Sequence, residues 1–180
     1  MEKLDFDLLP EAVADMDYIR HNVGIIGLFA LATGEKLLVA TAHLFWNPEY
    51  EHVKLAQARY YLEKVERAAE LSTMGVVVTG DLNAMPESKV FKVVMETRIG
   101  QKPLQSAYGD YKDGSHPAFT NFTKDFQGTL DYILHTLETV EVRPLPSQAE
   151  CCSETALPNS QHGSDHLPLV ATLRLVPNSS

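Results

Sequence analysis

Val76-Val77-Val78-Thr79-Gly80-Asp81-Leu82-Asn83 is the stretch on which the reading of this chain turns. A continuous run of β-branched residues, with no alternation of polar side chains, suits a short strand buried on both faces at the centre of a sheet. Gly80-Asp81 then places a turn former and a carboxylate at the strand's carboxyl end. Upstream, over residues 51–71, Leu55, Ala58, Leu62, Val65 and Ala69 recur at helical spacing. Lys54, Glu63, Lys64, Glu66, Arg67 and Glu70 fill the intervening positions, so the segment reads as an amphipathic helix laid on a sheet and broken at Met74-Gly75. Further upstream, NVGIIGLFALATGEKLLVATAH (residues 22–43) holds two apolar runs around Thr33-Gly34-Glu35, a hairpin signal that puts His43 at the end of its second strand. Downstream, a short helix is predicted over 87–96 and a long surface loop over 100–118. A strand pair over 129–136 and 139–142 follows, then an irregular loop over 144–163 and a final strand over 167–176.

The chain's 180 residues, 44% hydrophobic and 22% charged, suffice for one substantial core. No run of eighteen apolar residues occurs, and MEKLDFDLLPEA at the start has neither a basic beginning nor an apolar signal core. The expectation is a soluble intracellular protein, cytoplasmic or nuclear, with no membrane partner. Cys151 and Cys152 are neighbours and poorly placed to staple a fold, so they read as thiols in a loop, with a redox role the lesser alternative. A formal charge of -9 argues against broad electrostatic adhesion to DNA. It leaves room for a nucleic-acid substrate met through bound cations.

Polar residues gather where strands are predicted to end: His43 to Asn47, Asp81 to Asn83, Asn121, Asp131, and Asp165-His166. Carboxylates, amides and imidazoles, without a Gly-x-Ser-x-Gly elbow or a Cys-x-x-Cys pair, suit a hard cation such as Mg²⁺ or Mn²⁺. Each cluster also has a plain structural reading. Gly80 to Ala84 can be a turn, His43 a satisfied strand-end histidine, and Asn121 a loop residue bonding its own backbone. Asp131 sits inside the apolar run Thr129 to Leu134, where an unpaired charge would cost several kcal/mol. It needs a partner: either a structural ion pair or a histidine that it orients, for which His166 is the candidate. His21, His52, His116, His135 and His162 read as surface or packing residues.

In order, Thr41-Ala42-His43, Trp46-Asn47-Pro48, Gly80-Asp81-Leu82-Asn83, Asp131-Tyr132 and Ser164-Asp165-His166 resemble the endonuclease/exonuclease/phosphatase superfamily, and most of all its Ccr4-type poly(A) deadenylases. The stretch Phe119 to Tyr132 is the most specific part of the likeness, which runs from about Leu4 to Leu175. Leu82 stands where the family has an aromatic residue and is read as packing. The resemblance implies an α/β fold, a two-sheet DNase I-like sandwich with flanking helices. Residues 1–180 would supply its C-terminal part, one sheet and its helices. The family's N-terminal half carries an Asn and a metal-binding Glu that this sequence does not contain, so an exposed sheet face calling for a protein partner or a further segment is expected.

By the same resemblance, the activity would be Mg²⁺- or Mn²⁺-dependent phosphodiester hydrolysis, most closely 3'-exonucleolytic removal of poly(A) from the 3' end of RNA. Asp165 would bind metal, Asp81 would position or deprotonate the attacking water, and Asn83 and Asn121 would donate to the phosphoryl oxygens. His166, held by Asp131, would contact the phosphate, His43 would support it from the other side, and Phe126 would stack on the terminal base or serve as a hydrophobic anchor. A 2',5'-phosphodiesterase, a nocturnin-like phosphatase and a noncatalytic scaffold that keeps half a site are the alternatives. An apurinic-site nuclease fits the acidic charge less well.

Overall fold

The computed structural model describes residues 1–70, 75–112, 114–151 and 156–175. In chain order the elements are β1 (Glu2–Asp5), α1 (Pro10–Ala14), β2 (Val23–Ala30), β3 (Lys36–His43), α2 (Glu51–Ala69), β4 (Gly75–Asp81) and α3 (Lys89–Glu96). Then follow β5 (Arg98–Ile99), β6 (Lys102–Pro103), β7 (Gln105–Ser106), β8 (Asn121–Phe122), β9 (Gln127–Gly128), β10 (Asp131–His135), β11 (Glu138–Val142), α4 (Gln148–Cys151) and β12 (Ala171–Arg174). The main sheet has the order β1-β2-β3-β4-β10-β7, mixed in direction: β3 and β4 run parallel, and β10 lies antiparallel to β4. The valine run is the interior strand β4, and the hairpin of β2 and β3 forms as the sequence predicts. Among the described residues, no helix is long and apolar enough to cross a membrane.

Alternate side chains of the sheet, Leu38, Ala40, Val76, Val78, Tyr132 and Leu134, are buried in one cluster with Tyr61, Leu62 and Val65 of α2 and Val90, Phe91 and Val94 of α3. The other face leaves Val23 and Ile25 exposed and Leu37, Val39, Val77 and Ile133 half-buried, as expected for a sheet with one apolar face uncovered. α3 starts at Lys89 because the Ser88 hydroxyl caps it, accepting from the Phe91 amide at 3.1 Å.

Three expectations are corrected. The segment read as a loop over 100–118 contains β7, the sheet's edge strand, anchored by buried Leu104 and Tyr108 on either side of it. β10 and β11 do not pair with each other. The chain turns a corner between them, where buried His135 bonds the Thr139 hydroxyl at 2.8 Å and accepts from the Leu137 amide at 3.2 Å, so β11 joins β12 in a separate two-stranded sheet. Cys151 is buried on α4 rather than lying in a loop, while Cys152 and Val176 fall outside the described residues.

Candidate active site

Strand register assembles the centre of the site. Parallel pairing of β3 with β4 sets His43 opposite Asp81, and antiparallel pairing of β4 with β10 sets Asp81 opposite Asp131. Three candidate side chains on three adjacent strands thus lie in one row, with His43 Nε2 3.5 Å from Asp81 Oδ2. His166 joins from the last connection: its Nδ1 lies 2.8 Å from Asp131 Oδ2 and its Nε2 4.0 Å from Asp81 Oδ2. Because an ionised carboxylate only accepts, Nδ1 is the donor of that bond and Nε2 is turned to the cleft. Asp131 therefore has the partner that its apolar strand demands.

Asn121 and Asp165 meet through the bridge between Asn121 and His166. The Asn121 side-chain amide donates to the Asp165 carboxylate at 3.2 Å and to its carbonyl at 3.3 Å. Asn121 thus buttresses Asp165. Asn83 is held in the left-handed region, φ 46°, a conformation asparagine tolerates better than most residues. There its amide N–H donates to Asp81 Oδ1 at 2.7 Å and its side chain donates to the Leu44 carbonyl at 3.0 Å. Gly80 adopts φ 139°, and a Cβ there would collide with the Ala42 carbonyl, so glycine is what allows Asp81 to follow strand β4 so closely against β3. Leu82 is buried, as packing requires.

These residues line a cleft of about 710 Å³ with His43, Asp81, Asn83, Asn121, Asp165 and His166 on its polar side. Phe126 enters it from the tip of the β8–β9 hairpin, where the Thr123 hydroxyl accepts from the Phe126 amide at 3.1 Å. Gly128 makes room there, since a side chain would strike Met85 and the Phe126 ring.

Two buried residues of α2 also serve the site and escaped the sequence reading, which put Lys54 on the helix's polar face. Lys54 is only 6% exposed, and its ammonium donates to the Asn83 carbonyl at 2.9 Å. Gln57 is wholly buried; its Oε1 accepts from the Phe45 amide at 2.9 Å, and its amide donates to Asn22 at 3.2 Å, which in turn donates to the His43 carbonyl at 2.9 Å. One helix thereby fixes the loops that follow both β3 and β4. The signals available were that positions 54 and 57 lie within a turn of apolar Ala58 and Tyr61, and that Val53-Lys54-Leu55-Ala56-Gln57 resembles the family's helix start after the histidine strand.

The electrostatics favour a cation. Burial pushes the Asp81 carboxyl up, the Asn83 amide opposes this, and the nearby charge of Asp131 adds to the rise. Burial disfavours the charged form of His166, but the Asp131 hydrogen bond and the charges of Asp131, Asp81 and Asp165 outweigh it and leave this imidazole easier to protonate than usual. Burial lowers the Lys54 pKa against the pull of Glu51 and Asp81. Ligand atoms of Asp81, Asp131 and His166 lie within 4.8 Å of one another. Carboxylates crowded in a half-buried cleft, with oxygen donors predominating, fit a hard divalent ion.

The family model for the endonuclease/exonuclease/phosphatase family matches residues 9–166. The chain is 30% identical over 176 residues to a probable CCR4-Not complex 3'-5'-exoribonuclease subunit Ccr4 of Vairimorpha ceranae, covering 87% of this chain and 36% of that protein. It is 31% identical over 162 residues to the 2',5'-phosphodiesterase 12 of Mus musculus, covering 79% of this chain and 27% of that protein. It thus spans about a third of the length of these relatives. Among solved structures, the human Nocturnin catalytic domain with bound sulfate superposes with a TM-score of 0.76 at 22% identity, over 98% of this chain and 59% of that one. That likeness concerns the fold, a DNase I-like α/β architecture. The sequence motifs, the sheet and the matched span agree, and the chain belongs to the endonuclease/exonuclease/phosphatase family.

Proposed function

We propose that this chain is the C-terminal part of a divalent-metal-dependent phosphodiesterase domain whose full-length form removes poly(A) from the 3' ends of RNA. The observation that carries the reading is the row His43, Asp81 and Asp131, with His166 clipped to Asp131 at 2.8 Å. Asp81 and Asp165 would hold Mg²⁺ or Mn²⁺, which supplies charge neutralisation at the scissile phosphate and a more acidic water. Asp81 would orient the attacking water and take its proton. His166, as the imidazolium that Asp131, Asp81 and Asp165 favour, would donate from Nε2 to a phosphoryl oxygen with its ring angle fixed by Asp131, and His43 would donate from the opposite side. The second N–H of the Asn83 amide, and that of Asn121 once turned from Asp165, would stabilise charge growing on the phosphoryl group.

Phe126 would stack on the terminal base. The exposed apolar face of the sheet supports a protein partner or a first half-domain packing there, which would bring the family's metal-binding Glu. The match to only 59% of the Nocturnin domain is consistent with this. Likeness to 2',5'-phosphodiesterase 12 favours a second reading, with a 2',5'-phosphodiester linkage as the bond cleaved.

The test is release of AMP from oligo(A) by the chain with Mg²⁺, alongside Asp81→Ala, with 3',5'- and 2',5'-linked substrates compared. Release that disappears in the variant supports the reading, and the preferred linkage chooses between the two substrates. Release unaffected by Asp81→Ala refutes the assignment of the site.

A further inference from the structure

We infer that Trp46 is a stacking platform for a second base of a single-stranded nucleic acid, beyond the base placed on Phe126. This rests on the proposed nucleic-acid substrate and adds a binding site to it. Trp46 is the only tryptophan of the chain; it lines the cleft and is 66% exposed, whereas tryptophan is ordinarily among the more buried residues. A single exposed apolar side chain is unremarkable on a loose loop, but this loop is held tightly from behind. The Leu44 amide donates to the Asp81 carbonyl at 3.0 Å, the Phe45 amide to Gln57 Oε1 at 2.9 Å, and the Tyr50 amide to the Asn47 carbonyl at 3.2 Å. The Arg20 guanidinium lies over both the Phe45 and Tyr50 rings, 4.9 and 4.8 Å from their centroids, and the Phe45 ring in turn leans on the indole at 6.1 Å.

The consequence is a fixed backbone that presents a bare, large π-face at the mouth of the cleft. Such a surface matches a nucleobase, which any sequence offers. Charge points the same way. With a net charge of -9 and Lys54 buried on a backbone carbonyl, this chain has little electrostatic grip on phosphates remote from the metal site, so hold on upstream nucleotides falls to stacking. Phe126, 39% exposed on the hairpin tip, and Trp46 are the two exposed hydrophobic aromatic side chains among the residues lining the cleft.

Because Trp46 is the sole tryptophan, its fluorescence reports this site alone. The full chain is titrated with AMP and with a hydrolysis-resistant phosphorothioate oligo(A) hexamer in Mg²⁺, while anisotropy of a labelled hexamer measures binding independently. The hexamer is expected to quench Trp46. Trp46→Ala should weaken hexamer binding about tenfold and collapse its advantage over AMP, while Trp46→Phe retains most of it. A hexamer that binds the wild type and Trp46→Ala equally well, without quenching, overturns the platform and leaves the nucleic-acid reading standing. A hexamer that does not bind at all overturns both.

Discussion

Replacing Asp131 with asparagine removes one charge from the site while preserving shape, and its effect can be worked out at His166. In the native chain Asp131 Oδ2 lies 2.8 Å from Nδ1, and the bond and its charge both raise the imidazole pKa. A hydrogen bond to a charged partner contributes about 1.5–3 kcal/mol net. The His166 side chain is about a third exposed, so solvent screening favours the low end of that range. Asp131→Asn should therefore lower the His166 pKa, because it removes the charge that raises it.

The sign for stability follows. A histidine whose pKa is raised on folding contributes its full stabilisation below the unfolded value and loses it as pH rises through the folded one. Wild type should therefore exceed Asp131→Asn in unfolding free energy by about 1.5 kcal/mol at pH values below the unfolded histidine pKa of about 6.5, with the gap narrowing as pH rises through the raised folded value. NMR titration of the His166 Cε1–H signal, with urea unfolding across the same pH range, measures both quantities. A His166 pKa that stays put or rises in the variant would refute the reasoning.

Two further outcomes test the site's economy. Asp81→Asn should stabilise the metal-free chain by about 1 kcal/mol, because it removes a carboxylate that burial and Asp131 both disfavour, and it should abolish the rise in Tm expected of the wild type when Mg²⁺ is added. Thermal melts with and without Mg²⁺ decide this, and an equal Mg²⁺ response in the variant counts against Asp81 as a ligand. Lys54→Met keeps the buried stem but leaves the Asn83 carbonyl without its ammonium donor. It should cost about 1–3 kcal/mol of stability and lower kcat more than it raises KM, as steady-state kinetics on oligo(A) would show; unchanged kcat would make Lys54 a packing residue.

Local pattern carried the sequence reading as far as the elements. The valine run, the hairpin around Gly34 and the periodicity of residues 51–71 are short-range signals; the first two appear where expected, and the helix runs over Glu51–Ala69, Leu71 and Met74 lying outside the described residues. The pairing of strands is long-range. Nothing in residues 129–142 distinguishes a hairpin from a corner, because the decision lies in how His135 bonds Thr139 and in what β4 already offers as a partner. Lys54 and Gln57 were hidden for a related reason: a helical wheel assigns polar residues to solvent, and only the neighbouring loops, with their unpaired carbonyl and amide groups, make burial of these two favourable. Asp131 was readable because its surroundings made a lone charge untenable. The donor role of Asn121 toward Asp165 was not, since it depends on a contact 44 residues away.

His43, Asp81 and Asp131 share the parity of Val39, Val77 and Ile133, while Leu38, Val78 and Leu134 take the other. A shift of one residue in either pairing would therefore drive charged groups into the core and apolar ones out of it, together. Molecules in which this row is misassembled are consequently the same molecules that fail to bury their core. Folding thus acts as a proofreading step for the chemistry: a population with partial activity should be a mixture of intact and unfolded chains, not a uniform set of slightly misaligned ones.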